Sequence, residues 1–179
     1  MSRRSISRWE QPLFRLMVPG ALRSWLLELG SLTARCQSAS KQFRVKLLRA
    51  DSGPSLMAPH GRQQRPMVNQ REVLLECDGV PVIFAHTELP LVPRGRLTRW
   101  LAGLGSRSLG SLLFAYPGFK RGRIEVRRLH AHDVLYQHAV QATGLSGQPQ
   151  LWARRSKHVL GRQSVLVTEV FLPAIQKLR

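Results

Sequence analysis

Leu22, Trp25, Leu26 and Leu29 recur at the three- and four-residue spacing of a helix face, and Gly30 is placed to end that helix. Ser31 can then cap a second short helix from Leu32 to about Ser38. At Phe43 the period changes to two. Phe43, Val45 and Leu47 alternate with Arg44 and Lys46, the pattern of a strand with one covered face. Residues 50–69 contain Gly53, Pro54, Pro59, Gly61 and Pro66, which predict a mobile loop. Alternation resumes from Arg71 to Asp78, the pair Asp78-Gly79 supplies a two-residue hairpin turn, and Val80 to Glu88 runs back. Helical patterns follow from about Arg96 to Leu104 and from Leu109 to Phe114. A further strand contains Ile124 and Val126 and reaches His130. Residues 141–149 read as a loop, and Leu151–Leu160 with Gln163–Phe171 form a last hairpin around Gly161-Arg162.

Six strands joined mostly as hairpins, with helices grouped between them, predict an α+β domain: a single six-stranded antiparallel sheet with helices on one face. Residues 20–179 read as that one domain. Residues 1–19, with Arg3, Arg4, Arg8 and Arg15, read as a basic, flexible N-terminal tail.

Composition narrows the classes. A chain of 179 residues with 43% apolar residues is large enough to bury a core. No uninterrupted apolar run approaches the ~18 residues that a spanning helix requires, so no membrane span is expected. Cys36 and Cys77 have no CxxC spacing, which predicts neither a disulfide framework nor a zinc cage and suits a reducing cytoplasm. Subtracting 10 acids from 28 bases gives a net charge of +18. That charge attracts anions: nucleic acid, acidic lipid or a small polyanionic substrate. The bases are spread along the chain, and only four Trp, two Tyr and six Phe accompany them. A stacking platform for single strands would interleave aromatics with its bases, so nucleic-acid binding is not expected as the main role.

Two charges break the patterns around them. Side chains alternate faces along a strand, so Arg71 shares a face with Val73, Leu75 and Cys77, and Glu169 shares one with Val165, Val167 and Phe171. A charge on an apolar face costs several kcal/mol of desolvation unless it is paired. Either the two pair with each other, or the face is wet at one end, or they line a pocket and meet complementary groups on a ligand. An arginine fork and a carboxylate across a cavity would suit a molecule with a carboxylate at one end and a hydroxyl at the other.

The chain resembles the chorismate pyruvate-lyase family. The stretches that carry the resemblance are Trp25-Leu26-Leu27 with Gly30-Ser31-Leu32-Thr33, and Arg71-Glu72-Val73-Leu74-Leu75 with Asp78-Gly79-Val80-Pro81. They continue through Leu104-Gly105, Leu109-Gly110, Leu113-Phe114, Leu151-Trp152-Ala153-Arg154-Arg155-Ser156 and Thr168-Glu169-Val170-Phe171-Leu172-Pro173. Each is weak alone; the ordered set from about residue 22 to 174 is specific. The resemblance implies an antiparallel sheet with helical flaps over a buried ligand site. It also implies elimination of pyruvate from chorismate to give 4-hydroxybenzoate, the first committed step towards ubiquinone. No cofactor and no metal are implied, and the protein is expected to be a monomer. Carried over by position, Arg71 grips the ring carboxylate and Glu169 stands beside the ring hydroxyl, these two being the catalytic residues. Leu32 and Leu109 join them as substrate-binding positions on the flaps, through backbone N–H groups. Val82 stands where relatives often carry Trp. His86 stands where they usually carry Arg, and an imidazole largely neutral at pH 7 would hold a second carboxylate less firmly. Residues 131–149 are longer than the family pattern.

Other constellations are weaker. His130, His132 and Asp133, with His138 nearby, have a spacing that could grip a metal, but no matched distal ligands accompany them. Gly103, Gly105 and Gly110 do not make a dinucleotide fingerprint. Cys77 reads as a buried thiol before it reads as a nucleophile. Arg154 and Arg155 could grip phosphate, yet on alternating strand faces one of them alone can point at a given ligand. Two readings from other classes remain: a non-catalytic domain of the same fold that senses a small aromatic or carboxylic acid, and a nucleic-acid-binding module whose affinity falls steeply with salt.

Overall fold

The computed structural model describes Trp9 and residues 18–57, 64–91, 104, 107, 109, 110, 113 and 118–178. Among them are three α-helices and seven strands in one antiparallel sheet. The basic tail expected for residues 1–19 lies outside the described residues except at Trp9, Val18 and Pro19, as do most of the helical patterns from Arg96 to Leu104 and from Leu109 to Phe114.

Helix α1, Gly20–Leu26, buries Leu22, Trp25 and Leu26 and stops three residues before the predicted end, leaving Leu29 exposed. Helix α2, Leu32–Ser38, begins where the sequence places it. The Ser31 hydroxyl accepts the Ala34 N–H, and Leu32, Thr33 and Cys36 turn inward. Strand β1, Phe43–Pro54, and strand β2, Met67–Cys77, are both longer than the alternation predicts. Ala50–Pro54 pair with Met67–Arg71, so much of the expected 50–69 loop is a continuing hairpin ladder. Pro54 and Gly53 are tolerated because β1 is an edge strand and its proline sits at the end.

The turn from β2 to β3, Val80–Pro90, has positive φ at both Asp78 (50°) and Gly79 (79°), the type I′ geometry that a two-residue hairpin requires. The strand expected around Ile124–His130 is two strands, β4 at Lys120–Arg121 and β5 at Glu125–His130, both paired with β6. This split turns six strands into seven. The break falls at Gly122, whose N–H bonds the Lys157 carbonyl at 2.7 Å; a Cβ there would lie 3.1 Å from that oxygen. Strands β6, Gln150–Leu160, and β7, Gln163–Phe171, form the last hairpin around Gly161-Arg162 as expected. A 3-10 turn, Pro173–Lys177, follows. The sheet order is β1-β2-β3-β7-β6-β4, with β5 beside β6.

Helices cover both faces of this sheet, not one. On the first face α1 and α2 pack Trp25, Leu26, Leu32 and Cys36 against Val73, Leu75, Cys77, Ile83, Ala85, Trp152 and Phe171. On the second, Leu74, Phe84, Leu151, Ala153 and Val170 meet Leu135 and Ala139 of helix α3, Val134–Thr143. The sequence reading missed α3. Its buried stripe is short, and its ends are marked by Asp133 before the first turn and by Gly144, whose φ of 66° ends the helix. Burying each large apolar side chain stabilises by about 1.5–3 kcal/mol, so the two cores together fix the sheet from both sides. Val82 is a buried residue of the first core.

Candidate active site

The strand register places the functional side chains on rungs of one ladder. Val73 of β2, Ala85 of β3, Glu169 of β7 and Arg154 of β6 make one rung. Arg71, Thr87, Val167 and Ser156 make the next. Val165 and His158 make a third, extended by Arg121 of β4. Directly paired antiparallel residues project to the same side, so these side chains all face the layer that α2 covers.

Between the sheet and α2 lies a cavity of ≈ 40 Å³. Arg71 and Glu169 line it from the sheet; Leu32 and Thr33 of α2, with Leu109, Gly110 and Leu113, line it from above. All four residues singled out in the sequence therefore meet in one place. Thr87, Arg121, Arg154, Ser156 and His158 join them. Arg71 and Glu169 stand two strands and one rung apart, roughly 10 Å across the strand direction, so a ligand can lie between them.

Arg71 and Glu169 have different partners. The Arg71 guanidinium donates through Nη2 to the Arg107 carbonyl at 2.9 Å, and burial lowers its pKa. Glu169 accepts at Oε2 from Arg154 Nε at 2.6 Å. Arg154 is 1% exposed, and its Nη1 points to the carbonyls of Trp25 (3.3 Å), Leu26 (3.5 Å) and Glu28 (2.7 Å) at the end of α1. A buried charge of this kind is held because several acceptors share its protons. Arg155 turns to the other face, where it pairs with Glu125 at 2.7 Å and lies 4.5 Å over the Trp9 ring. The alternation argument about these two arginines thus holds.

At the β6 end, Arg121 donates from Nε to Ser156 Oγ at 3.1 Å and from Nη1 to the Leu29 carbonyl at 2.9 Å. Ser156 Oγ also lies 3.2 Å from His158 Nε2. Burial first, and then the Arg121 charge, push the His158 imidazole down to about 4, so its ring is neutral near pH 7. Among the described lining residues, three guanidiniums face one carboxylate. The cavity is therefore a net dication, matched to a ligand with two negative charges.

His86 is not in this cavity. It lies on the opposite side of β3, fully buried, with Nδ1 3.0 Å from Glu72 and Nε2 3.2 Å from Glu88. A one-residue step along a strand reverses the face, so Thr87 lines the cavity and His86 cannot touch a ligand there. The candidate metal cluster also separates. Asp133 bonds Arg127 and the His130 N–H, while His138 turns to Glu72 at 2.7 Å. Cys77 and Cys36 are buried together in the first core, with Cys77 Sγ 3.7 Å from the Cys36 carbonyl, and burial raises the Cys36 thiol.

Sequence reasoning missed Arg121, Ser156 and His158 as site residues. Arg154, Ser156 and His158 alternate along β6 as three polar groups on one face, a signal of the same kind as Arg71. For Arg121 no such signal exists, because its two-residue strand joins the sheet only through tertiary pairing.

No helix among the described residues is long and apolar enough to cross a membrane. The fold is similar to solved ligand-binding domains of transcription regulators. The effector domain of PhnF from Mycobacterium smegmatis aligns with a TM-score of 0.53 at 16% identity, covering 82% of this chain and 91% of that one. The C-terminal domain of the histidine utilization repressor from Pseudomonas syringae pv. tomato aligns at 0.52 with 10% identity, covering 77% and 96%. Likeness at that identity is a likeness of fold. Sequence relatives are nearer: a probable chorismate pyruvate-lyase of Dechloromonas aromatica is 59% identical over 175 residues, covering 97% of this chain and 98% of that protein. A second, from Methylobacillus flagellatus, is 45% identical over 159 residues, covering 87% and 89%. Residues 4–178 match the family described as chorismate lyase, and the chain belongs to that family.

Proposed function

We propose that this protein eliminates pyruvate from chorismate to release 4-hydroxybenzoate, the entry reaction towards ubiquinone, with Arg71 and Glu169 at the two ends of the ring. The observation that carries the reading is the position of that arginine and that carboxylate on neighbouring rungs of one covered, net-cationic cavity. Chorismate is a dianion with a ring carboxylate, a ring hydroxyl opposite it and an enolpyruvyl ether beside the hydroxyl. In the reaction the ether C–O bond breaks and the neighbouring ring carbon loses its proton. The ring becomes aromatic, and the released enol becomes pyruvate. Aromatisation supplies the driving force, so the protein's task is to hold the reactive conformer and exclude water.

In this reading Arg71 takes the ring carboxylate through a planar fork, and Glu169 meets the hydroxyl end. Arg154 acts through Glu169: its Nε–H fixes one carboxylate oxygen and leaves the other to face the ring. Leu32 and Leu109 close the cavity from above, on flaps that must open for exchange. Purified protein mixed with chorismate, followed by the ultraviolet absorbance of the aromatic product, tests the activity; absence of product across neutral pH would sink it. Glu169→Gln separates the roles of the carboxylate. A base predicts a loss of about 100-fold or more in kcat, whereas full activity in this variant leaves Glu169 an orienting group.

A further inference from the structure

We propose that Arg121, with Ser156 and His158, forms a second carboxylate subsite at the β4–β6 end of the cavity, and that it takes the enolpyruvyl carboxylate. The proposal rests on the chorismate reading above and deepens it. Arg71 stands on β2 and Arg121 on β4, at opposite ends of the same covered layer and four strands apart, or roughly 19 Å between backbones. Their long side chains reach inward from the two ends, with Glu169 between them. A ligand with a single carboxylate uses one end of such a site; a dicarboxylate uses both.

The hydrogen bonds at this end prepare Arg121 for an anion. Ser156 Oγ accepts the Arg121 Nε–H and lies 3.2 Å from His158 Nε2, within hydrogen-bond reach. The chain Arg121–Ser156–His158 thereby holds the guanidinium by neutral groups, and the Leu29 carbonyl fixes it from the α1–α2 connection. Burial and the nearby Arg154 charge lower the Arg121 pKa despite Glu169 and Glu28, so an entering anion would favour its charged form. The serine hydroxyl and the N–H of a neutral imidazole beside that guanidinium can also donate to carboxylate oxygens.

Arg121→Gln tests this by comparing two ligands. The KM for chorismate should rise roughly ten- to a hundred-fold, while the Kd for 4-hydroxybenzoate, which lacks the second carboxylate, should change less than about two-fold on the same grounds. Arg71→Gln, run beside it, should weaken both. If Arg121→Gln does not fold, Arg121→Lys carries the same comparison, because it keeps the charge and loses the planar fork. Equal weakening of both ligands, or an unchanged KM for chorismate, would overturn the subsite. Wild-type protein that does not turn over chorismate would overturn the parent reading and this one with it; wild-type turnover with an unchanged KM in the variant overturns this one alone.

Discussion

Arg154 of β6 donates its Nε–H to Glu169 of β7 at 2.6 Å, and the two residues are direct cross-strand partners in the sheet. The bond joins the candidate site to the end of α1, because the same guanidinium holds three carbonyls there. Removing one member of such a buried pair leaves the other charge uncompensated. Arg154→Gln should cost about 3–5 kcal/mol in urea unfolding, and a double variant with Met at both 154 and 169 should recover part of that loss. A loss below about 1 kcal/mol in the single variant would show the pair to be effectively solvated.

Product binding reads the Arg71 end. 4-Hydroxybenzoate keeps a carboxylate and a hydroxyl, so it should stabilise the folded protein in proportion to its occupancy. Arg71→Lys replaces a two-bond fork with a point charge. Calorimetric titration should show affinity falling by roughly ten- to a hundred-fold, the equivalent of about 1.5–3 kcal/mol. Equal affinity in the two proteins would remove Arg71 from the carboxylate grip.

His158 sets an acid limit on stability. Its folded pKa is pushed down to about 4 from an ordinary value of 6.5, first by burial and then by Arg121. Between those two values the unfolded chain binds more protons than the folded one. The contribution is therefore fully present above pH 6.5 and is lost as pH falls towards 4, up to roughly 3 kcal/mol. Denaturant midpoints measured from pH 7 to 4 should drop more steeply in wild type than in His158→Gln. Parallel curves would reject the assignment.

The second face combines dependences of both signs. Burial alone would lower His86, but hydrogen bonds to Glu72 and Glu88 raise it. Burial alone would raise those two carboxyls, but their bonds to His86 lower them, as do the His138 bond to Glu72 and the Ser55 bond to Glu88. A raised histidine contributes stability below its unfolded value of 6.5 that is lost as pH rises through the folded one. Lowered carboxyls contribute above 4.5 and lose their share as pH falls. The network should stabilise most between those values. Glu72 also anchors α3 through His138 at 2.7 Å, so Glu72→Gln should speed amide hydrogen exchange in Val134–Thr143 more than in β6. Unchanged exchange in α3 would mean that its apolar stripe alone holds it.

The sequence by itself determined the local periods: the buried face of α1, the start of α2, the Asp78-Gly79 and Gly161-Arg162 turns, and the faces on which Arg71 and Glu169 stand. Those follow from chain geometry within a few residues, because strand alternation and turn chemistry need no distant partner. Together with the motif order, they also made the family legible. Only the tertiary structure decided the rest. Strand β4 is two residues long and exists by pairing with β6; α3 is held by a short stripe against the second face; and β1 continues through Gly53 and Pro54 because β2 supplies its ladder. Long-range pairing likewise gave Glu169 to Arg154 in place of Arg71, sent His86 away from the cavity and brought Arg121 into it. Strand order fixes which charges become neighbours, and strand order is a property of the whole folded sheet.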